Sequence, residues 1–229
     1  MNVVAVLQAR MGSTRLPGKV LMDLAGRPML SQLLHRLKRA RRVDDIVIAT
    51  TTDPRDDALV ELAKREDVRW FRGSEQDVLS RIRGAAEDAG ADAVVRLTGD
   101  CPLMDPAVVD AVVAALVDHS EPVDYASNVL RRTYPKGLDA EALFMDTLRR
   151  IDRMGTSPAA REHVTWFAYR ERPDLFVLRS VEQEQDYSAL NWSVDTIEDL
   201  EHARALYQQL GLHQQPRDWL SVAAQDAAR

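Results

Sequence analysis

Short apolar runs alternate with longer amphipathic stretches along the first half of the chain. The apolar runs are rich in β-branched residues and comprise VVAVLQ (3–8), DIVIAT (45–50), VRWF (68–71) and DAVVRLT (92–98). Between them, PMLSQLLHRLKRA, DDALVELAKRE and DVLSRIRGAAEDAG have the 3.6-residue period of helices. Because near-continuous apolar strands joined by helices are typical of sheets buried on both faces, the pattern predicts an α/β fold with a doubly wound, mostly parallel sheet.

The pattern changes after a predicted helix at PAVVDAVVAALVDH (106–119). Residues 124–170 mix turn residues, aromatic side chains and charges, which predicts an excursion that carries substrate contacts. Further helices are predicted at about 145–154, 158–171 (PAAREHVTWFAYRE), 196–210 and 217–228, and strands at LFVLRS (175–180) and ALNWSV (189–194). No repeat or linker is visible, so we expect residues 1–229 to form a single domain.

Charge and cysteine content narrow the function classes. The formal net charge of −6 argues against a general nucleic-acid binder, which normally has a basic surface. Cys101 is the single cysteine and cannot form an internal disulfide, so nothing requires an oxidising compartment. The start of the chain lacks a signal-peptide pattern, and Asp110 interrupts the longest apolar run. We therefore expect a cytoplasmic protein without a membrane segment, whose partners are small molecules.

A loop with three cationic side chains follows the first predicted strand. In QARMGSTRLPGK (8–19), Arg10, Arg15 and Lys19 stand beside Gly12 and Gly18, a composition that suits a polyphosphate. Five residues separate the two glycines and valine follows the lysine, so the loop is not a Walker motif. The dinucleotide fingerprint G-x-G-x-x-G is also absent, which disfavours a nicotinamide oxidoreductase. From the residues alone, a phosphate site and a solvated basic turn are equally good interpretations.

Two aspartates follow later predicted strands. Asp100, in TGDCP, and Asp195, in NWSVDT, fall where the carboxyl edge of a parallel sheet would bring them together, and carboxylates are suitable ligands for magnesium. Asp100 is equally explained as a turn residue. From the residues alone, Asp195 is better explained as part of a helix start, where Thr196 and Asp199 have capping-box spacing.

Several blocks of sequence occur together in a characteristic order. They are QARMGSTRLPGK (8–19), RGSEQDVLSR (72–81), VVRLTGDCPLMDP (94–106), DYASN (124–128), YPKGLDAE (134–141), REHVTWF (161–167) and LNWSVDTIEDL (190–200). Together they resemble the CMP-sugar synthetases, the family of acylneuraminate and 3-deoxy-manno-octulosonate cytidylyltransferases. The resemblance is closest to the branch of spore coat polysaccharide biosynthesis protein F. The predicted helix at about 216–229 lies outside the resemblance.

The resemblance implies a nucleotide-diphospho-sugar transferase (Rossmann-like) fold with a small inserted region for substrate binding or dimerisation. It also implies a magnesium-dependent enzyme, a homodimer, that transfers CMP from CTP to a sugar or sugar acid and releases pyrophosphate, for surface glycan biosynthesis. A non-catalytic nucleotide-sugar binding protein of the same fold is the alternative. The pair of acids argues against it, because a binder needs no metal at the α-phosphate.

The resemblance and the local patterns together nominate three groups of site residues. Catalytic roles fall to Arg15, Lys19, Asp100 and Asp195, the last two as magnesium ligands. Nucleotide contacts are predicted at Gln8, Ala9, Arg10, Gly12, Ser13, Arg15, Lys19, Thr50, Arg72, Gly73 and Asp100. Substrate contacts are predicted at Asp139, Glu141, Arg161, Glu162 and His163, although a solvated edge and a structural helix explain these residues equally well.

Overall fold

A seven-stranded sheet forms the centre of the computed structural model, which describes residues 1–118, 120–215 and 217–227. In chain order the strands are β1 (Val3–Gln8), β2 (Asp23–Leu24), β3 (Arg27–Pro28), β4 (Asp45–Thr51), β5 (Arg69–Gly73), β6 (Ala93–Thr98), β7 (Tyr125–Ser127), β8 (Glu141–Phe144) and β9 (Leu178–Ser180). The sheet order is β5-β4-β1-β6-β8-β7-β9, and β2 and β3 form a separate hairpin. Strands β5, β4, β1 and β6 are parallel, and only β8 runs antiparallel to its neighbours. The predicted mostly parallel sheet is confirmed.

Helices cover both faces of this sheet. They are α1 (Met29–Leu37), α2 (Asp57–Arg65), α3 (Val78–Asp88), α4 (Pro106–Val117), α5 (Met145–Met154), α6 (Pro158–His163), α7 (Ile197–Leu210) and α8 (Trp219–Asp226). Because successive side chains of a strand point to opposite faces, Ala5 and Leu7 of β1 enter one hydrophobic core, while Val4 and Val6 enter the other. The first core includes residues of α1, α4 and α7, and the second includes residues of α3 and α5. The doubly wound prediction therefore holds.

Three predicted elements differ from the structure. Of the strand predicted over 175–180, only Leu178–Ser180 is a strand, and a 3-10 turn at Pro173–Leu175 precedes it. The helix predicted over 158–171 ends at His163, and a separate π-helical turn at Phe167–Glu171 follows. The strand predicted over 189–194 is a loop with one bridge, Lys136 to Asn191. The excursion at 124–170 also contributes β7 and β8 to the main sheet. Residue 119 of the fourth predicted helix and residues 216, 228 and 229 around the last one lie outside the described part of the chain.

No helix within the described ranges combines the length and apolar character that a membrane span needs.

Gly137 lies where the central excursion (124–170) packs against the loop that leads into α7. Its φ of +99° is accessible mainly to glycine, and a Cβ there would lie 2.6 Å from both Ser193 N and Trp192 C. The preceding residue, Lys136, pairs with the same loop through two backbone bonds, from Trp192 N to Lys136 O at 2.7 Å and from Lys136 N to Leu190 O at 2.9 Å. The missing side chain therefore allows two backbone segments to approach closely.

We expect Gly137→Ala to lower the free energy of unfolding by about 2 kcal/mol or more, because strain at positive φ is combined with a backbone clash. Gly90→Ala is the matched control, since Gly90 also has a positive φ of 66° but nothing within 4 Å of the new Cβ. The control should cost only about 1 kcal/mol. Urea unfolding of both variants measures the difference, and equal losses would contradict the close-approach explanation.

Candidate active site

The basic loop after β1 is tied together by its own backbone. Gly18, with φ at 72°, precedes a short 3-10 turn at Lys19–Leu21. The Met11 carbonyl oxygen accepts bonds from the backbone N–H groups of Gly18 and Ser13, each at 3.0 Å. The turn therefore folds Lys19 back into the protein, where it is buried despite its charge.

A buried carboxylate, Asp56, anchors this loop to the end of β4. Its Oδ1 accepts from Met11 N at 2.7 Å, and its Oδ2 accepts from the hydroxyls of Thr50 and Thr51 at 2.9 and 2.5 Å. The predicted nucleotide contact at Thr50 is therefore not supported, because that hydroxyl is buried on Asp56. Sequence reasoning missed Asp56, whose local pattern resembles an ordinary helix start.

The loop and the ends of β1 and β6 enclose a cavity of about 230 Å³. It is lined by Gln8, Ala9, Arg10, Ser13, Thr14, Arg15, Lys19, Val20, Thr98, Gly99, Asp100 and Asp195. Eight of the predicted site residues are thus brought together. Gly12 lies just outside, where its missing side chain leaves room for Glu75, which pairs with Arg10 at 3.1 Å.

Lys19 joins the two predicted metal ligands. Its Nζ lies 2.9 Å from Asp100 Oδ2 and 3.0 Å from Asp195 Oδ1, and it donates to Val194 O at 2.6 Å. Burial alone would lower the pKa of Lys19, but the charges and hydrogen bonds of the two aspartates outweigh burial and raise the pKa. The side chain is therefore an ammonium at every physiological pH.

Asp195 is surrounded by cations. Besides Lys19, Arg15 Nη2 lies 2.9 Å from its Oδ1 and Lys136 Nζ lies 3.6 Å from its Oδ2. Burial pushes the pKa of Asp195 upwards, but the hydrogen bond and charge of Lys19, with the charges of Arg15 and Lys136, leave that pKa below its ordinary value. The carboxylate is therefore ionised, as a cation ligand must be.

The capping alternative for Asp195 is resolved by its neighbours. Thr196 is the N-cap of α7 and forms a capping box with Asp199. The Asp199 carboxylate accepts from the backbone N–H groups of Thr196 and Asp195, both at 2.8 Å. Because Thr196 and Asp199 complete the cap, the side chain of Asp195 is free to face Lys19.

A second cavity of about 360 Å³ adjoins the first across Thr98, which lines both. It is lined by Arg96, Thr98, Val129, Arg132, Asp139, Glu141, Tyr169 and Arg170. Asp139 and Glu141 therefore face one space, as their alternation predicts, although β8 begins only at Glu141. Arg132 binds Asp139 through two bonds of 2.6 and 2.8 Å.

Glu141, which lines this second cavity, is buried and accepts three hydrogen bonds. The donors are the Tyr125 hydroxyl at 2.6 Å, the Arg96 guanidinium and the Thr165 hydroxyl. Burial, followed by the charge of Glu141, raises the pKa of Tyr125 well above its ordinary value, so its hydroxyl remains a donor. These bonds fix the side chain of Glu141, and of the two predicted carboxylates only that of Asp139 is partly exposed.

Two further predicted nucleotide contacts lie away from both cavities. Arg72 pairs with Asp57 at 2.6 Å and donates to Thr51 O at 2.8 Å, which ties β5 to β4 and α2. Gly73 leaves room for the side chains of Arg81 and Phe71. Both positions support the sheet edge, so the structure does not place them at the site.

Three predicted substrate contacts also lie elsewhere. Arg161 pairs with Asp77 at 2.6 Å and Asp152 at 2.8 Å, which ties α6 to α3 and α5. Glu162 and His163 are exposed, and the His163 ring packs beside Trp166 at 5.8 Å. The structure therefore brings none of the three side chains to either cavity.

The arrangement can be compared with known proteins. The cytidylyltransferase family model matches residues 4–217. This chain belongs to the cytidylyltransferase family. It is 35% identical over 217 residues to the spore coat polysaccharide biosynthesis protein SpsF of Bacillus subtilis, covering 92% of this chain and 88% of that one.

Two other relatives are similar to this chain over most of their length. The chain is 31% identical over 238 residues to the 3-deoxy-manno-octulosonate cytidylyltransferase of Anaeromyxobacter dehalogenans strain 2CP-C, covering 90% of this chain and 97% of the other. A solved cytidylyltransferase from Leptospira borgpetersenii superposes with a TM-score of 0.92 at 32% identity, covering 97% and 92% of the two chains. The resemblance seen in the sequence motifs is therefore confirmed.

The two carboxylates of the first cavity suit magnesium, which can take its other ligands from phosphates and water. They are too few for a metal that is bound by protein side chains alone. No cluster of three or more His, Cys, Asp or Glu side chains able to hold a metal occurs within the described residues. Asp100 and Asp195 already share one cation, the ammonium of Lys19. Magnesium in nucleotide sites typically takes one or two carboxylates and completes its shell with phosphates and water. The residues present therefore fit this ion.

Removing a cation from the loop should weaken CTP binding. We expect Arg15→Ala and Lys19→Ala each to raise the Kd for CTP about tenfold or more, because each removes a charge-assisted contact to the triphosphate. Lys19→Ala should also lose stability, since it leaves two carboxylates without their shared partner. Titration calorimetry measures the affinity, with Lys64→Ala on α2 as the charge-matched control. Unchanged affinity in both loop variants would refute the phosphate role.

Proposed function

We propose that this chain is a magnesium-dependent enzyme that transfers CMP from CTP to a sugar or sugar acid and releases pyrophosphate, for surface glycan biosynthesis. The observation that carries the proposal is the pair Asp100 and Asp195 held on Lys19 in a cavity lined by cations. Family membership and the names of the relatives support the choice of CTP and of a sugar-acid acceptor. A homodimer in the cytoplasm is part of the proposal and rests on the sequence and the family resemblance.

The two adjoining cavities divide the reaction between them. Arg15 and Lys19 would bind the triphosphate in the first cavity, and the acceptor would enter the second, which meets the first at Thr98. The acceptor hydroxyl passes its proton to solvent water as its oxygen bonds to the α-phosphorus. The bond from that phosphorus to the β-phosphate oxygen breaks, and pyrophosphate leaves.

Asp100 and Asp195 would hold magnesium at the triphosphate. The bound ion would neutralise charge that develops on the phosphates, an effect typically worth several kcal/mol in such reactions. The cations around Asp195 keep its carboxylate ionised and oriented before any ligand binds. A non-catalytic nucleotide-sugar binding protein would not need this pair of carboxylates at the phosphate end.

Neutralising either aspartate should abolish most turnover. We expect Asp100→Asn and Asp195→Asn to reduce magnesium-dependent pyrophosphate release from CTP at least about a hundredfold, because each loses a charged ligand of nearly unchanged shape. Circular dichroism should remain native, since Thr196 and Asp199 supply the cap of α7. A coupled pyrophosphate assay against a panel of sugars and sugar acids provides the measurement.

Asp218→Asn makes the same chemical change at the N-cap of α8, where asparagine also caps well, and serves as the control. It should retain wild-type turnover. Near-normal turnover in the Asp195 variant would refute the shared metal, and wild-type binding of CTP without turnover of any acceptor would favour the binding protein.

A further inference from the structure

The charges of the second cavity do not balance. Three arginines and two carboxylates line it. Arg96 pairs with Glu141, and Arg132 pairs with Asp139. Arg170 forms no ion pair with a carboxylate anywhere in the described ranges of the chain, so the cavity has one uncompensated positive charge.

Aromatic rings hold the Arg170 guanidinium. It lies 5.8 Å from the ring centroid of Trp166 and 5.6 Å from that of Tyr169, which are distances of cation–π contact. Such contacts orient a guanidinium without using its N–H donors in ion pairs. The donors of Arg170 therefore remain available to a ligand, whereas those of Arg132 are engaged by Asp139.

The backbone that carries Arg170 is unusual in two ways. Val164 has φ 56° and ψ −71°, and the Thr165 N–H donates to His163 O at 2.6 Å, which together define a γ-turn of the rare positive-φ kind. A β-branched, fully buried residue at positive φ is a steric outlier. The π-helical turn Phe167–Glu171 follows directly, and such turns are frequent at functional sites.

A side chain that lines the second cavity holds the strained turn in place. The Thr165 hydroxyl, which the turn brings inward, donates to the buried carboxylate of Glu141. A continuous α-helix from α6 would not have this change of direction between His163 and Phe167. Strain of this kind persists only where the surroundings impose it, and it concentrates at binding and active sites. The turn therefore fixes the path of the segment that delivers Tyr169 and Arg170 to the cavity.

We propose that Arg170 is a specificity residue of the acceptor site that binds a carboxylate of the acceptor, and that the Val164–Thr165 turn is its positioning element. The proposal rests on the proposed function, which puts the acceptor in the second cavity. A singly charged carboxylate neutralises the cavity and matches the planar fork of a guanidinium. The nearby carboxylates of Asp139 and Glu141 disfavour a doubly charged phosphate.

The test compares Arg170→Gln with Arg172→Gln in steady-state pyrophosphate release at saturating CTP. Arg172 is exposed, pairs with Asp174 at 2.8 Å and lies outside the cavity, so its variant makes the same change in charge as a control. The acceptor probes are 3-deoxy-manno-octulosonate and N-acetylneuraminate, each also as its methyl ester, together with neutral sugars.

With the acid acceptor that the wild-type enzyme uses, we expect Arg170→Gln to raise the KM for that acceptor about tenfold or more, because a charge-assisted contact is lost. The kcat and the KM for CTP should stay near the wild-type values. Arg172→Gln should behave as wild type. With the methyl ester, Arg170→Gln and wild type should have equal KM values. Thr165→Val should raise the KM for the acid, and Thr165→Ser should restore it through the retained hydroxyl.

Equal KM values of Arg170→Gln and Arg172→Gln for the acid would overturn the proposal. So would a wild-type preference for the ester or for neutral sugars, in which case the proposed transfer from CTP still stands. Absence of pyrophosphate release from CTP with every acceptor would instead contradict the proposed function, and this proposal with it.

Discussion

The site depends on the contacts that the buried ammonium of Lys19 makes with two aspartates. The ammonium joins Asp100, which follows β6, to Asp195, which precedes α7, and it also binds the carbonyl oxygen of Val194. Without it, two neighbouring carboxylates would repel each other at a partly buried position, which is costly. The turn at Gly18 brings Lys19 inward, so the geometry of the basic loop and that of the two acids are set by one interaction.

The parallel half of the fold was predictable because its pattern is local. Strands such as β1 and β6 are buried on both faces and read as apolar runs, and the helices between them show a clear period. The errors lie where distant contacts decide. The helix is interrupted where the Thr165 hydroxyl binds Glu141. Residues 189–194 pair with the backbone of Lys136, beside Gly137, and do not join the sheet. Neither contact leaves a trace in the local sequence.

The same distinction applies to the site. The cations of the loop and Asp100 were predictable because each follows a strand, and the carboxyl ends of parallel strands meet. Asp195 was predicted on the same ground, but a loop precedes it, and the bond from Val194 N to Asp100 O at 2.8 Å brings it to the site. Sequence cannot decide whether a charged side chain faces a cavity or a structural partner. Arg161 resembled a substrate contact and pairs with Asp77 and Asp152, whereas Asp56 and Arg170 gave no signal. Family motifs therefore located the right segments, but the tertiary contacts separate the roles within them.

The central claim is that Asp100 and Asp195 act together on one divalent ion at the triphosphate. Crystals grown with CTP and Mn²⁺ test it directly, because the anomalous signal of manganese locates the ion independently of the refined coordinates. We expect a peak within about 2.5 Å of a carboxylate oxygen from each aspartate and of a phosphate oxygen. A peak bound by phosphates alone, with Lys19 still holding both carboxylates, would contradict the account.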